Sequence, residues 1–378
     1  MKKSRKIIIL STIGTIVTYL TVCLSISLSN LFHMVHQNNH SRHTESGENR
    51  INEIKKTGIK YEYSLYTKKE ISNNKNLEES KLYYFPAPGG VKTDYAIVVP
   101  GGGYFECDVN KVAFPCAATI NKLGYTSFVL AYRYGKYSSK YAPIEDLARA
   151  IKFITTNADK FNVKPENYCC VGFSAGGNLV GNFASEKLGY KKYGVSKPKA
   201  LALVYPWINI NGKTPFTGNV FQELLSVSSK SIGNRYLLGN GATKEEKSGI
   251  CVQNNVTKSY PATYLIHGNK DFVVPYMQNA EVMVDALKKN SIPYKYKLCR
   301  GLNHGFGFRK RLRLDRFGLG HGLYFNIKLR FGNRDRWFSF GRGAFTLNRL
   351  NIIMATEFLA VNDNEDSNQC NNDCNRND

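Results

Sequence analysis

Negative charge is scarce in this chain. Its 378 residues carry 29 Asp and Glu against 52 Lys and Arg, a formal net charge of +23. Such an excess attracts anionic surfaces in general: nucleic acid, bilayer or acidic polysaccharide. No RRM, homeodomain, zinc-finger or KH signature accompanies it, so no nucleic-acid partner is expected and the lysines read as a solvated surface. Paired cysteines are lacking too. The nine cysteines include no C-x-x-C, and Cys370 and Cys374 lie in a polar tail without a histidine, which speaks against a zinc site. Adjacent Cys169 and Cys170 fall in an apolar run and read as core, while Cys107 and Cys116 would pair only in an oxidising compartment. Nucleotide-binding loops are missing: there is no G-x-G-x-x-G, and the "GKT" at 212–214 has no upstream glycine. What the chain does have is 42% apolar and 12% aromatic residues, enough for a sizeable core.

The N-terminus groups four basic residues ahead of an uncharged stretch from Ile7 to Leu28. That layout reads as a signal peptide or signal anchor over residues 1–29, long enough to span a bilayer at roughly 20 helical residues. The lysines stay inside and the remainder is exported, extracytoplasmic and either anchored or secreted. Residues 30–81 are polar and read as a spacer and lead-in. From residue 82 onward, apolar runs alternate with helical patterns. Strands are expected at 95–99, 126–132, 168–173, 200–205, 262–267 and 293–298, and helices at about 109–122, 143–157, 175–187 and 276–290. The strands are continuous apolar runs, so both faces are buried, which points to an α/β fold with a mostly parallel, doubly wound sheet. Residues 207–250, rich in Gly, Asn and Ser, read as a small insertion over the C-terminal edge of that sheet. The catalytic body is expected to end at 308. Beyond it, arginine displaces lysine and no helical or strand period is read, so 309–378 is expected to be an arginine-rich, then low-complexity tail foreign to the domain.

Two glycine-rich stretches carry the chemistry. Gly172-Phe173-Ser174-Ala175-Gly176 follows an apolar strand and opens a helical run. A serine on a sharp strand-to-helix turn is exposed for attack, and small flanking residues let the two backbones approach. The helix N-terminus favours negative charge, so the Ala175 N–H is a candidate oxyanion donor. "VVPGGGY" follows the strand at 95–99, and the N–H groups of Gly102 or Gly103 supply the candidate second donor. His304, in "GLNHGFGF" after the last strand, is the candidate base. Asp271, in "HGNKDFVVP", is the candidate carboxylate that orients it, whereas His267 in the same stretch is expected to hydrogen-bond locally. Asp146 and Glu145 read as ordinary acids heading a helix. Tyr104 and Trp207 are candidate walls of a substrate pocket.

Together "VVPGGGY", "GFSAGG", "HGNKDFVVP" and "GLNHGFG" resemble the α/β-hydrolase superfamily, in its esterase/lipase branch of acetylxylan- and feruloyl-esterase-like carboxylesterases. The resemblance covers about residues 82–308 and includes "YRYG" and "PIEDLARAIKFI" after the glycine loop. It implies a serine carboxylic-ester hydrolase with no metal or organic cofactor, acting on short acyl esters of carbohydrate or similar alcohols. It also implies an amphipathic helix after the histidine loop, where this chain carries its arginine-rich tail. A prolyl-peptidase-like enzyme and a non-catalytic exported binding module share the fold. The first is disfavoured by the lack of a propeller-length N-terminal domain, the second by an intact Ser, Asp and His.

Overall fold

Central strands without polar alternation need cover on both faces, and the computed structural model supplies it. It describes residues 2–38, 41–138, 140–211, 219–307, 326–331 and 334–339. In chain order the elements are α1 (Lys2–Asn38), α2 (Ser41–Lys56), β1 (Glu62–Ser64), α3 (Lys68–Asn73), β2 (Lys81–Phe85), β3 (Thr93–Val99), α4 (Phe114–Lys122) and β4 (Thr126–Ala131). They continue with α5 (Ala142–Thr156), β5 (Val163–Phe173), α6 (Ala175–Phe183), β6 (Ala200–Val204), α7 (Val220–Leu238), α8 (Lys244–Gly249), β7 (Ala262–Gly268), α9 (Tyr276–Lys289) and β8 (Tyr294–Cys299). The last two are β9 (Asn326–Phe331) and β10 (Arg334–Ser339).

Eight strands form one sheet in the order β1-β2-β4-β3-β5-β6-β7-β8. β1 and β2 run antiparallel at one edge, and β4 through β8 are parallel to β3. Every residue of β3 and β4 is buried. One face packs on α5, α6 and α9 through Leu147, Ile151, Leu179, Phe183, Met283 and Leu287. The other packs Phe85, Val98 and Val129 against Ile51, Ile54, Phe114 and Ala117 of α2 and α4. This is the α/β-hydrolase architecture that the resemblance implied. All four expected helices and six expected strands are present, most within a residue or two of the expected bounds.

The N-terminal lead-in differs from expectation. Residues 41–81 are not a spacer: α2 lies on α4, where a Cβ on Gly47 would stand 2.8 Å from Phe114 Cβ. Arg50 Nε donates to Asn121 Oδ1 at 2.5 Å and its Nη2 to the Pro86 carbonyl at 3.1 Å. β1 and β2 then extend the sheet, so the folded body begins well before residue 82. The 207–250 insertion holds the 19-residue helix α7 and the short α8. Most of the tail lies outside the described residues, but β9 and β10 pair antiparallel within it, separate from the main sheet. Ile327, Leu329 and Phe331 alternate with Lys328 and Arg330, a strand period the sequence reading had not found. Within α1, Thr12–Ser29 is long and apolar enough to cross a membrane and is mostly exposed, with a mean hydropathy of 1.6.

One buried ion pair ties α5 to β4. Asp146, far from being an ordinary helix-heading acid, is fully buried. It accepts from the Arg133 backbone N at 2.8 Å, from Arg133 Nε at 2.8 and 3.0 Å, and from the Tyr66 hydroxyl at 2.7 Å. Burial pushes the carboxyl's pKa up while Arg133 pulls against it. Removing one partner strands the other charge in a dry site. Asp146→Ala is therefore expected to cost about 3–5 kcal/mol of stability, read by urea denaturation, whereas Glu145→Ala, at the exposed end of the same guanidinium, is expected to cost about 1 kcal/mol or less.

Candidate active site

The turn at Ser174 is strained. Its φ of 52° and ψ of −115° lie where a non-glycine residue costs of order 1–3 kcal/mol. Its surroundings hold it there. Ser174 N donates to the Val204 carbonyl at 3.1 Å, and its own carbonyl accepts from Gly177 N at 2.9 Å and Trp207 N at 3.0 Å. The flanking glycines are required by contact. A Cβ on Gly172 would lie 2.5 Å from the Gly176 carbonyl, and one on Gly176 would lie 2.3 Å from the Pro100 carbonyl. Only bare backbones let α6 sit this close to the ends of β3 and β5.

Three side chains from three loops converge at that turn. Ser174 Oγ is 2.9 Å from His304 Nε2, and His304 Nδ1 is 2.7 Å from Asp271 Oδ2. Asp271 Oδ1 accepts from the main-chain N–H of Val273 at 3.1 Å and Val274 at 2.8 Å. Burial alone would raise the Asp271 pKa, but His304 and His267 outweigh it and bring the carboxyl down to about 2. An ionised Asp271 accepts only, so His304 carries its proton on Nδ1 and presents a lone pair to the Ser174 hydroxyl. That is the tautomer a general base needs.

The loops bearing Asp271 and His304 are laced together. Lys270 N donates to the Leu302 carbonyl at 2.9 Å, Asn269 N to Cys299 at 3.0 Å, and Gly301 N to Asn269 Oδ1 at 2.7 Å. Leu302 and Phe306, on either side of His304, are buried in the core beneath α2 and α4. The imidazole packs edge-on against Tyr205 with centroids 5.0 Å apart, and Tyr205 packs in turn on Phe306.

The glycine loop passes beside Ser174: a Cβ on Gly101 would be 3.0 Å from Ser174 Cβ. Gly102 follows at φ 120°, where a Cβ would meet the Glu106 carbonyl at 2.2 Å, and Gly103 at φ 58°. The Tyr132 hydroxyl donates to the Pro100 carbonyl at 3.1 Å and holds the loop from below. Ala175 opens α6, in the first turn, where backbone N–H groups have no acceptor within the helix. The glycine loop that carries the candidate donors Gly102 and Gly103 thus runs beside the turn from Ser174 to the third candidate, Ala175.

Two expected pocket walls sit deeper than foreseen. Tyr104 is 1% exposed, its hydroxyl donates to Asn178 Oδ1 at 2.8 Å, and its ring packs on Tyr132 and Trp207. It braces the glycine loop and lines no open pocket. Trp207 is buried as well, and its Nε1 has no hydrogen-bond partner among the described residues.

The insertion expected at 207–250 forms a roof on this site, built on a helix that the sequence pattern does not announce. α7 turns Ser226, Lys230, Gly233 and Leu237 inward, one helical stripe of buried residues. Ser226 Oγ donates to the Val273 carbonyl at 3.2 Å and Lys230 Nζ to Gln278 Oε1 at 3.2 Å. A Cβ on Gly233 would meet the Trp207 ring at 2.5 Å and the Gly103 carbonyl at 2.9 Å. Burial draws the Lys230 ammonium down to about 8, against the pull of Asp271. α7 therefore reaches from the Asp271 loop to the glycine loop. Among the described residues no cluster of three or more His, Cys, Asp or Glu is placed to hold a metal.

Comparison with known proteins bears on the family and the fold. Endo-1,4-beta-xylanase B of Butyrivibrio fibrisolvens is 30% identical over 225 residues, covering 57% of this chain and 33% of that protein. Acetylxylan esterase of Xylanibacter ruminicola is 24% identical over 210 residues, covering 56% of this chain and 40% of that protein. The chain thus spans between 33% and 40% of the length of these curated relatives. Among solved structures, the acetyl ester-xyloside bifunctional hydrolase from Caldicellulosiruptor lactoaceticus is 26% identical with a TM-score of 0.53, over 65% of this chain and 88% of that one. Esterase B from Lactobacillus rhamnosis is 20% identical with a TM-score of 0.52, over 65% of this chain and 77% of that one, and shows the shared fold. The family model described as BD-FAE matches residues 83–286, more than half of the sequence and most of the sheet, and the chain belongs to the BD-FAE family.

Proposed function

We propose that this protein is a serine carboxylic-ester hydrolase that works through an acyl-enzyme. The observation that carries the reading is the hydrogen-bonded series from Ser174 Oγ through His304 to Asp271, at 2.9 and 2.7 Å, on a strained turn at a helix N-terminus. In this mechanism Ser174 attacks the ester carbonyl while His304 Nε2 takes its proton. The main-chain N–H groups of Ala175 and of Gly102 or Gly103 hold the oxyanion, each worth about 3 kcal/mol at the transition state. His304 returns the proton to the leaving alcohol, and water then clears the acyl group by the same path in reverse. Asp271 stabilises the imidazolium that forms in each half.

The proposed substrates are short acyl esters of carbohydrate. Support comes from relatives named as an acetylxylan esterase and an acetyl ester-xyloside hydrolase. The apolar α1 fits an exported protein whose N-terminus is a signal sequence or anchor.

The full chain is expected to hydrolyse p-nitrophenyl acetate faster than the octanoate and to release acetate from acetylated xylan. Ser174→Ala should lose at least about a thousandfold in kcat/KM. A folded wild-type protein no faster than that variant would refute the proposal.

Acid stability gives a second check. The Asp271 carboxyl sits at about 2 in the folded protein against an ordinary 3.8. A depressed value means stability that is present in full above about pH 4 and lost as the pH falls through about 2. Wild type should therefore lose about 2 kcal/mol over that window that Asp271→Asn does not lose. Urea unfolding at pH 5, 4, 3 and 2 compares the two slopes, and equal slopes would show that Asp271 is not held ionised.

A further inference from the structure

His267 is the penultimate residue of β7, four residues before Asp271, and its ring is fully buried. Nε2 stands 2.8 Å from the Val274 carbonyl oxygen and 3.1 Å from Asp271 Oδ2. A carbonyl oxygen accepts only, so the proton is on Nε2 and is shared between these two acceptors. Nδ1 then carries the lone pair, and it is buried with no hydrogen-bond partner among the described residues. A proton on Nδ1 would have no acceptor among the described residues, so the geometry points to the Nε2–H tautomer.

This places four donors on one carboxylate. Oδ1 receives the N–H groups of Val273 and Val274, and Oδ2 receives both His304 Nδ1–H and His267 Nε2–H. Through Val274 the His267 ring also closes the turn on which Asp271 sits. Two consequences follow. The carboxylate is unable to swing about its Cβ–Cγ bond away from His304 without giving up a bond. His267 also competes with His304 for the same oxygen, which tempers the pull of Asp271 on the His304 proton.

We infer that His267 is a positioning residue of the triad: it clamps Asp271 Oδ2 toward His304 and moderates how strongly the carboxylate favours the imidazolium. The inference rests on the esterase reading above. Other titratable groups act on this cluster: Lys230 from α7, coupled to Asp271, and Tyr205 after β6, packed on His304. Both are unchanged in the variants below, so a difference between variants reports on His267.

The test uses the full chain with His267→Phe, which keeps a flat ring of slightly larger size and removes the donor, and His267→Gln, whose amide N–H reaches the place of Nε2. Initial rates on p-nitrophenyl acetate are measured from pH 5 to 9, with melting temperatures alongside. For His267→Phe, kcat is expected to fall about tenfold with KM within about twofold. The acid limb of the profile is expected to move up by about half a pH unit, because an uncontested Asp271 favours the imidazolium more strongly. His267→Gln should recover kcat to within about threefold of wild type and restore the limb. An unchanged kcat and profile in His267→Phe overturns the inference, as does a Gln variant no better than Phe, which would make the ring a packing element only. Should His267→Phe fail to fold, nitrogen-15 NMR of the wild-type imidazoles decides: a proton on His267 Nε2 alone at neutral pH supports the inference, and one on Nδ1 overturns it. Ser174→Ala run in parallel separates the two levels, since activity surviving in that variant removes the esterase reading while the tautomer measurement still stands.

Discussion

The close joint between β5 and α6 is the constraint on which the rest of the site depends. A serine at φ 52° is not a state the chain adopts unaided. It persists because the parallel register that pairs Phe173 with Val204 puts the Val204 carbonyl under Ser174 N. The first residues after β6 then return Trp207 N to the Ser174 carbonyl. Strand pairing, helix start and neighbouring loop each hold one end of the same peptide unit. Substituting either flanking glycine would force α6 off the sheet, and the hydroxyl, the Ala175 N–H and the glycine loop would separate together.

The opposite side of the site is fixed by different physics. Asp271 and His304 lie on loops after β7 and β8, where no helix start organises the backbone. Main-chain hydrogen bonds between the two loops do that work, with Leu302 and Phe306 anchoring the histidine loop in the core. The carboxylate completes the arrangement, because four donors leave it one orientation. A buried charge is tolerated here for the reason it is tolerated at Asp146: each is surrounded by groups that compensate its lost hydration.

Much of this was readable from the residues. The central strands announced themselves as continuous apolar runs; Ser174 and Asp271 each follow such a run, and His304 follows the lysine-alternating edge strand β8. Glycine spacing exposed the strained turn and the glycine loop. What stayed hidden has physical reasons. β1 is an edge strand of three residues and β2, its neighbour, has five; both are partly exposed and give little periodic signal. α2 shows the core only Ile51 and Ile54 amid a polar sequence. Asp146 looked like a helix-heading acid because its partner, Arg133, lies 13 positions away and its burial is a tertiary fact. His267 was read as making a local bond, which it does, but nothing in the spacing said that the acceptor would be the triad carboxylate. Tyr104 was read by residue type as a pocket wall, and its hydroxyl instead found Asn178, 74 positions away.

α7 is the instructive failure, since its pattern is inverted. It turns Ser226, Lys230 and Gly233 toward the site and leaves Leu224, Leu225, Val227 and Ile232 exposed. A sequence pattern searched for an apolar inner stripe finds none there. The inversion follows from what lies beneath, a polar reaction centre rather than a core. It also sets an energetic asymmetry across the site. α6 is held by Leu179, Val180 and Phe183, all buried and each worth about 2 kcal/mol of apolar transfer. The inner face of α7 is held by Leu237 and by side-chain hydrogen bonds to Val273 and Gln278, each worth about 1 kcal/mol net. By these contributions α6 is held by about 6 kcal/mol and the inner face of α7 by about 4, so displacing the nucleophile's helix costs more than displacing the roof. The helix that follows the nucleophile is thus held by apolar packing, whereas about half of the roof's hold comes from polar bonds that water can replace.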